Sequence, residues 1–399
     1  MRANDSSESG SNGSSARKEL RIAGLFAGIG GVELGLSHAG HRTELLCEWD
    51  PAARAVLTNH FPELPLHDDV RTLRGLPGGI DVLTAGFPCQ DLSQAGRTKG
   101  IDGGRSGLVQ EVFRLVDQDR PATVILENVP FMLRLDRGRA MNVLVDAFED
   151  RGYAWAYRTV DSRAFGIPQR RQRVVFIAST DTAAPAATLL SDDAGDAHLP
   201  TRGDACGFYW TEGLRGLGTA FDAVPTLKGG STVGIPSPPA ILCPDRSVVT
   251  PDIRDAERLQ GFDADWTLAA LDVAKRGARW RLVGNAVTVD LFEWVGRSLA
   301  NPRAEFSFIP RPITGPWPSA AFGDRGERWM ADVSLFPRQE PLTPILRFLR
   351  YPPKPLSRRA TAGFLDRLRR STLRTPPGFV EGVEHHLATL DSAESIEVG

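Results

Sequence analysis

The chain is short of cysteine, of long apolar runs and of net charge, and each shortage removes a class of function. Its four cysteines, Cys47, Cys89, Cys206 and Cys243, include no CxxC pair, and the seven histidines do not fall at metal-ligand spacing beside them. Neither a metal site nor a disulfide framework is expected, and a reducing cytoplasm suits such a chain. No stretch stays apolar long enough to cross a membrane, and the polar first residues lack the apolar segment of a secretion signal. No membrane partner is expected. A formal charge of -2 gives no overall sign of a nucleic-acid partner, although net charge averages over faces that differ. No internal repeat is visible.

What is present suffices for folded domains: 399 residues, 41% of them hydrophobic, can build ordinary cores. Residues 1–17 are nearly all Ser, Gly, Asn and charged, too polar to offset chain entropy, and read as a disordered leader. From Leu20 short apolar runs alternate with helical spacing. LRIAGLF, TELLCEW, IDVLTAG, ATVILENV and RVVFIAS read as buried strands, and 32–38, 51–59, 107–117 and 139–151 as helices. That alternation predicts a parallel sheet covered on both faces. Asp50-Pro51 marks one helix start, with an N-cap acceptor followed by proline at the first helical position. Between about Thr180 and Pro251 the chain is rich in Gly, Pro, Thr and Asp and reads as loop-rich. Helical spacing returns at 252–259, after Val283, and near 364–373 and 380–390.

The first strand runs into AGIGGVELGL, so Gly28, Gly30 and Gly31 sit at a strand-to-helix turn where backbone can approach a ligand. The second strand ends in Glu48-Trp49, and acidic residues at that position hold ribose hydroxyls in doubly wound folds. Trp49 suits an adenine face or an ordinary core, and Asp69 suits an adenine amino group or an exposed acidic pair. A nicotinamide cofactor fits these residues too. The segment GFPCQDLSQAG, 86–96, follows the strand IDVLTA directly and puts Cys89 at a strand's carboxyl end, where open α/β sheets bind ligands.

With these residues in view, the sequence resembles the DNA cytosine-5 methyltransferase family from about Leu20 to Leu299. LFAGIGG looks like its cofactor signature, CEWD its acidic ribose-binding step and GFPCQ its catalytic loop. ENV (127–129), QRRQR with Gln169, Arg171 and Arg173, RLQGF (258–262) and GNAV (284–287) follow in the family's order. Two features depart from it: the recognition region is short, and Asp263 follows RLQGF where proline is common.

The resemblance implies a Rossmann-like doubly wound α/β domain dependent on S-adenosylmethionine, with a small loop-rich target-recognition domain. The expected division is a catalytic domain at 18–180 completed by 283–300, target recognition at 181–282, and a C-terminal extension of unknown role at 301–399. Cys89 is the expected nucleophile at carbon 6 of cytosine. Glu127 is expected at N3 and Arg171 at the O2 side, with Arg173 in support; strand alternation puts both arginines on one face. Phe26, Ala27, Gly28, Gly30, Gly31, Glu48, Trp49, Asp69, Pro88, Asn285 and Val287 are the expected cofactor residues. Base chemistry in a duplex needs a flipped nucleotide and a closing lid. Residues 90–107 have the glycines and cations for one, and Gln90, Ser93, Arg97 and Arg105 are expected on DNA.

The expected partners are double-stranded DNA and a cognate restriction or defence system, with the chain acting as a monomer in the cytoplasm. Two other readings share these motifs: a tRNA cytosine-5 methyltransferase, and a catalytically silent DNA-binding protein of the same fold. TLKGGS (226–231) reads as a groove contact or a plain turn. In the tail, Arg367, Arg369 and Arg370 belong to a basic cluster at 347–374 with Asp366 as its single acid, expected to extend the DNA footprint or to pack as a solvated helix face.

Overall fold

A computed structural model describes residues 19–87, 107–197, 199–214, 216–230, 236–303 and 305–397, with side chains to 392. The expected leader and all of the expected lid but Gly107, and with them Pro88, Cys89, Gln90, Ser93, Arg97 and Arg105, lie outside the described residues.

The first half follows the alternation of the sequence. Strands β1 (Arg21–Leu25), β2 (Arg42–Cys47), β3 (Leu66–His67), β4 (Val82–Ala85) and β5 (Thr123–Asn128) run parallel. Helices α1 (Gly31–His38), α2 (Pro51–His60) and α3 (Leu108–Asp119) connect them, and α4 (Arg139–Glu149) leads from β5 to β6 (Ala154–Asp161). The Asp50 carboxylate accepts the Ala52 and Ala53 N–H groups, so the Asp-Pro start of α2 is as expected.

The sheet is not all parallel. After β6 the chain turns back through β7 (Gln169–Arg170) into β8 (Gln172–Ser179), which inserts antiparallel between β5 and β6. A return this short has no room for a crossover helix, so antiparallel pairing is the available geometry. Sequence reading also passed over β6, because its wholly buried run AWAYRTVD carries a charge. Arg158 is tolerated there because its guanidinium donates to the carbonyls of Leu189, Asp192 and Ser334 and meets the Asp193 carboxylate at 3.1 Å.

Beyond α5 (Ala184–Leu189), the region expected to be irregular forms a sheet of short strands: β9 (Cys206–Phe208), β10 (Ala220–Phe221), β12 (Ala240–Leu242) and β13 (Val248–Thr250). Its remaining strand, β11 (Val224–Pro225), instead pairs with β7, which precedes β8 of the central sheet. Helices α6 (Ile253–Arg258) and α7 (Gly277–Asn285) follow. Residues from 262 to 289 bury Phe262, Trp266, Leu282 and Val289 against Ala52, Ala53 and Val56 of α2. Then α8 (Val289–Ala300) lies on α1, where Gly35 admits the backbone of Val289 and Glu293 and Gly296 admits Ala39 and Leu36.

The tail beyond Asn301 joins both halves. Strands β14 (Arg311–Pro312), β15 (Ala320–Asp324) and β16 (Glu327–Met330) extend the central sheet from β6, giving the order β14-β16-β15-β6-β8-β5-β4-β1-β2-β3. After α9 (Ile345–Phe348), β17 (Lys354–Pro355) adds to β13 and closes the order β10-β9-β12-β13-β17. Helices α10 (Arg358–Arg369) and α11 (Phe379–Glu397) cover that second sheet. Phe364 and Phe379 meet Phe208 with ring centroids 5.0 and 4.9 Å apart.

Part of the basic cluster in the tail is paired in space, with its own Asp366 and with two acids that lie beyond it in sequence. Arg369 pairs with Glu384 at 2.6 Å, Arg370 with Asp366 and Arg358 with Asp391. Arg367 donates to the backbone carbonyls of Trp210 and Glu212, each at 2.8 Å. The count of one acid against nine bases therefore overstated the free charge of this segment.

Candidate active site

The sheet reverses its strand order between β1 and β4, and chain connections leave in opposite directions there, opening a crevice at the carboxyl ends of β1, β4 and β5. Three of the sequence motifs end at that edge. A Cβ placed on Gly86, just past β4, would come 3.7 Å from Glu127 Oε2 and 3.9 Å from the Phe26 carbonyl. Cys89 follows Gly86 by three residues, at most about 11 Å of chain. Asn128 ties the motifs together, its side-chain amide donating to the Phe87 carbonyl at 3.1 Å.

On the β1 side the backbone bends into left-handed conformations at Phe26 (φ 54), Gly28 (φ 56) and Gly30 (φ 84). Phe26 is the costly one, since its Cβ crowds the backbone there. Ala27 is buried and donates its N–H to the Cys47 carbonyl. Above Gly28 a Cβ would meet nothing within 4 Å, whereas at Gly31 it would press on Val287 and Phe262. The first glycine leaves room beside the turn; the other lets the GNAV segment close on it. Glu48 clasps the bend, accepting the N–H of Gly28 at 2.8 Å and that of Asp50 at 2.8 Å. Burial pushes its carboxyl above the usual range.

Trp49 is not a core residue: 67% of it is exposed, with the Arg71 guanidinium 5.1 Å from its ring centroid. Asp69 is held by Arg71 in a two-pronged pair that lowers its pKa. Asn285 is exposed and lies against Gly229, and Val287 is buried behind Gly31.

On the β5 side, Glu127 and Arg173 form an ion pair at 2.8 Å, side chains 13% and 11% exposed. Burial pushes the Arg173 guanidinium below its usual value, and the Glu127 carboxylate opposes that push. Arg171, between β7 and β8, is fully buried, and its guanidinium donates to the carbonyls of Leu227, Gly284 and Ala286. Burial, with the Arg173 cation nearby, pushes Arg171 down harder.

Around Arg171 lies a polar joint that sequence reading did not find. Gln169 donates to the carbonyl of Leu259 and the side chain of Gln260 and accepts the Leu227 N–H. Gln260 donates to the Val283 carbonyl, and Ser162 meets Thr288 at 2.7 Å. Thus QRRQR, RLQGF, GNAV and TLKGGS converge, and a Cβ on Gly284 would collide with the Lys228 carbonyl. The glutamines stood in the quoted motifs, but nothing in a linear pattern says that they bond to one another. Tyr209 gave no signal at all; its hydroxyl donates to the Thr226 carbonyl, and its ring carries the Lys228 ammonium 3.8 Å from the centroid.

Burial also isolates Glu33 on α1, whose carboxyl is pushed up to about 7. The Thr84 hydroxyl donates to one of its oxygens, and the other has no partner among the described residues.

Comparison with known proteins agrees with this geometry. The family model of the C-5 cytosine-specific DNA methylases matches residues 20–195. The chain is 48% identical over 368 residues to the type II methyltransferase M2.BsuMI of Bacillus subtilis (strain 168), covering 88% of this chain and 94% of that protein. So long a match extends past residue 300 into the tail. Type II methyltransferase M.HhaI of Haemophilus parahaemolyticus is 33% identical over 158 residues, 40% of this chain and 48% of that protein. The solved Dnmt2 methyltransferase of S. pombe superposes with a TM-score of 0.54 at 17% identity, over 70% of this chain and 98% of that one, and shares the fold. Among the described residues no helix is long and apolar enough to cross a membrane. By its near full-length likeness to a type II methyltransferase and its matching family model, the chain belongs to the C-5 cytosine-specific DNA methylase family and is a DNA (cytosine-5) methyltransferase.

Proposed function

We propose that the enzyme acts on a cytosine turned out of duplex DNA at a specific sequence, using S-adenosylmethionine, within a restriction-modification or phage-defence system. The observation that carries this reading is the Glu127–Arg173 pair at the carboxyl edge, next to the point where the Cys89 segment leaves β4. Carbon 5 of cytosine is a weak nucleophile until a thiolate adds at carbon 6. The Cys89 sulfur forms that bond, and charge moves toward N3 and O2. A carboxyl at N3 and a cation at O2 stabilise it. Glu127 supplies the first.

For the second, the geometry favours Arg173 over the expected Arg171. Arg173 already sits against Glu127, whereas Arg171 is committed to three carbonyls and holds the frame. Once carbon 5 is methylated, its proton leaves and the thiolate is expelled.

The residues of the β1 turn fit S-adenosylmethionine. Open space over Gly28 and the exposed Trp49 ring suit its adenosine, Glu48 retains acceptor capacity for the ribose, and Phe26, Ala27, Gly30 and Gly31 shape the bend. When bound, it supplies an electrophilic methyl group. Asp69 reaches the adenine amino group only by sharing its carboxylate with Arg71.

DNA carrying 5-fluorocytosine at the target tests the reading. Wild type forms a covalent adduct stable on denaturing gels, because fluorine cannot leave as a proton does, and Cys89→Ser forms none. Absence of the adduct under conditions of full methyl transfer refutes the role of Cys89.

A further inference from the structure

The segment that follows Glu127 makes a sharp elbow that has no part in the proposed chemistry. Residues 130–138 form a 3-10 run broken at Asp136 and Arg137, both left-handed (φ 51 and 57). Two successive non-glycine residues in that conformation persist only where their surroundings enforce it. Here the tail does so. The Trp317 indole N–H donates to the Gly138 carbonyl at 3.1 Å, and its ring lies against Gly138.

Between elbow and tail runs a groove of about 440 Å³, lined by Phe131, Arg134, Thr159, Gln172, Trp317 and Leu335 among others. It opens on the carboxyl edge, since Thr159 is near the end of β6 and Gln172 begins β8. Phe131 is 60% exposed in its wall; Arg134 in the lining and Arg137, outside the lining but on the same elbow, are exposed with no acid paired to them among the described residues. Thr159 is 4% exposed, yet its hydroxyl has no partner among the described residues. An exposed aromatic, two cations and an unpartnered hydroxyl suit a polyanion with sugar and base faces better than an apolar protein surface. Phe131 lies four residues from Glu127, at most about 14 Å of chain, or roughly four base steps along a strand.

We infer that this groove is a second DNA contact, which takes the backbone flanking the target cytosine, with Phe131 against a sugar or base and Arg134 and Arg137 on phosphates. It rests on the proposed reaction at Glu127 and adds a surface outside the recognition sheet, with the tail as its wall. It positions DNA without reading sequence.

The test measures duplex binding across a salt series for wild type, Phe131→Ala, the double variant Arg134→Ala/Arg137→Ala, and Arg325→Ala, with bisulfite sequencing of the products. Arg325 is an exposed cation at the β15–β16 turn, at the opposite edge of the sheet. Two lost phosphate contacts flatten the log-log salt slope by nearly two units, so the double variant loses about tenfold less affinity than wild type between 50 and 200 mM salt. Phe131→Ala weakens binding about fivefold or more. Arg325→Ala leaves both unchanged, and the methylated sequence stays the same in all. Melting temperatures within about 2 °C of wild type establish that the variants are folded. Slopes and affinities equal to wild type overturn the proposal, as does an equal loss in Arg325→Ala. The 5-fluorocytosine adduct at saturating DNA separates the two readings: its formation in wild type with unchanged slopes in the variants sinks the groove alone, and its absence in wild type sinks the reaction on which the groove rests.

Discussion

Arg171 and Arg173 are two residues apart, and the regions they enter teach different lessons. Arg173 meets a carboxylate at the mouth of the crevice, in a pair that keeps some exposure. Arg171 enters the joint between the central sheet, the segment at Leu227 and GNAV, where every acceptor it finds is a neutral carbonyl. A cation fixed by carbonyls cannot transfer a proton and has little freedom to move, so it suits a frame. A cation beside a carboxyl can redistribute charge as a substrate arrives, which suits chemistry.

The sharpest way to break this comparison is at the pocket. Glu127→Gln should lower kcat by about 10² to 10⁴-fold while DNA binding and melting temperature change little, because the carboxyl acts on charge that develops in the transition state. Turnover within a few-fold of wild type in steady-state assays makes Glu127 structural.

At the joint the order of effects reverses. Arg171→Ala takes a donor away from three carbonyls and should cost about 3 kcal/mol or more of stability, lowering Tm by roughly 3 to 4 °C or more. If calorimetry gives a wild-type Tm and only activity is lost, the two arginines have been assigned the wrong way round.

A third contrast sets the paired Glu127 against the isolated Glu33. Between about pH 4.5 and 7 the native state keeps a proton on Glu33 that the unfolded chain releases. Its contribution therefore favours folding at low pH and declines as pH rises toward 7. Glu33→Gln should match wild type near pH 4 and exceed it at pH 8 by up to about 3 kcal/mol. Parallel curves of Tm against pH for the two proteins would show that Glu33 is not protonated in the native state.

The smallest effect separates frame from footprint in the tail. Arg367→Ala loses two hydrogen bonds to the carbonyls of Trp210 and Glu212 and should cost about 1 to 2 kcal/mol in thermal unfolding, with the salt slope of DNA binding unchanged. A flattened slope instead returns Arg367 to the DNA surface expected from charge alone.

How much of this was legible follows from which interactions are local. The strands ending at Leu25, Ala85 and Asn128 announce themselves by apolar runs closed by turn residues, so the motifs at their ends were found in order. Strand β6 was not, because Arg158 breaks the apolar run and its acceptors come from residues 189, 192, 193 and 334. Likewise QRRQR put both arginines on one face, but which met a carboxylate and which met carbonyls depended on Leu227, Gly284 and Ala286.

The sequence by itself determined the alternation of strand and helix, the Asp50 cap, the glycine turn and the family, each a matter of neighbouring residues or of a pattern read in order. Only the tertiary structure decided the antiparallel β8, the joint around Arg171, the pairing of Arg369 with Glu384 and of Arg358 with Asp391, and the tail's place in both sheets. Hydrogen bonds of the tail join residues as many as 186 positions apart, and no periodicity records such a partner.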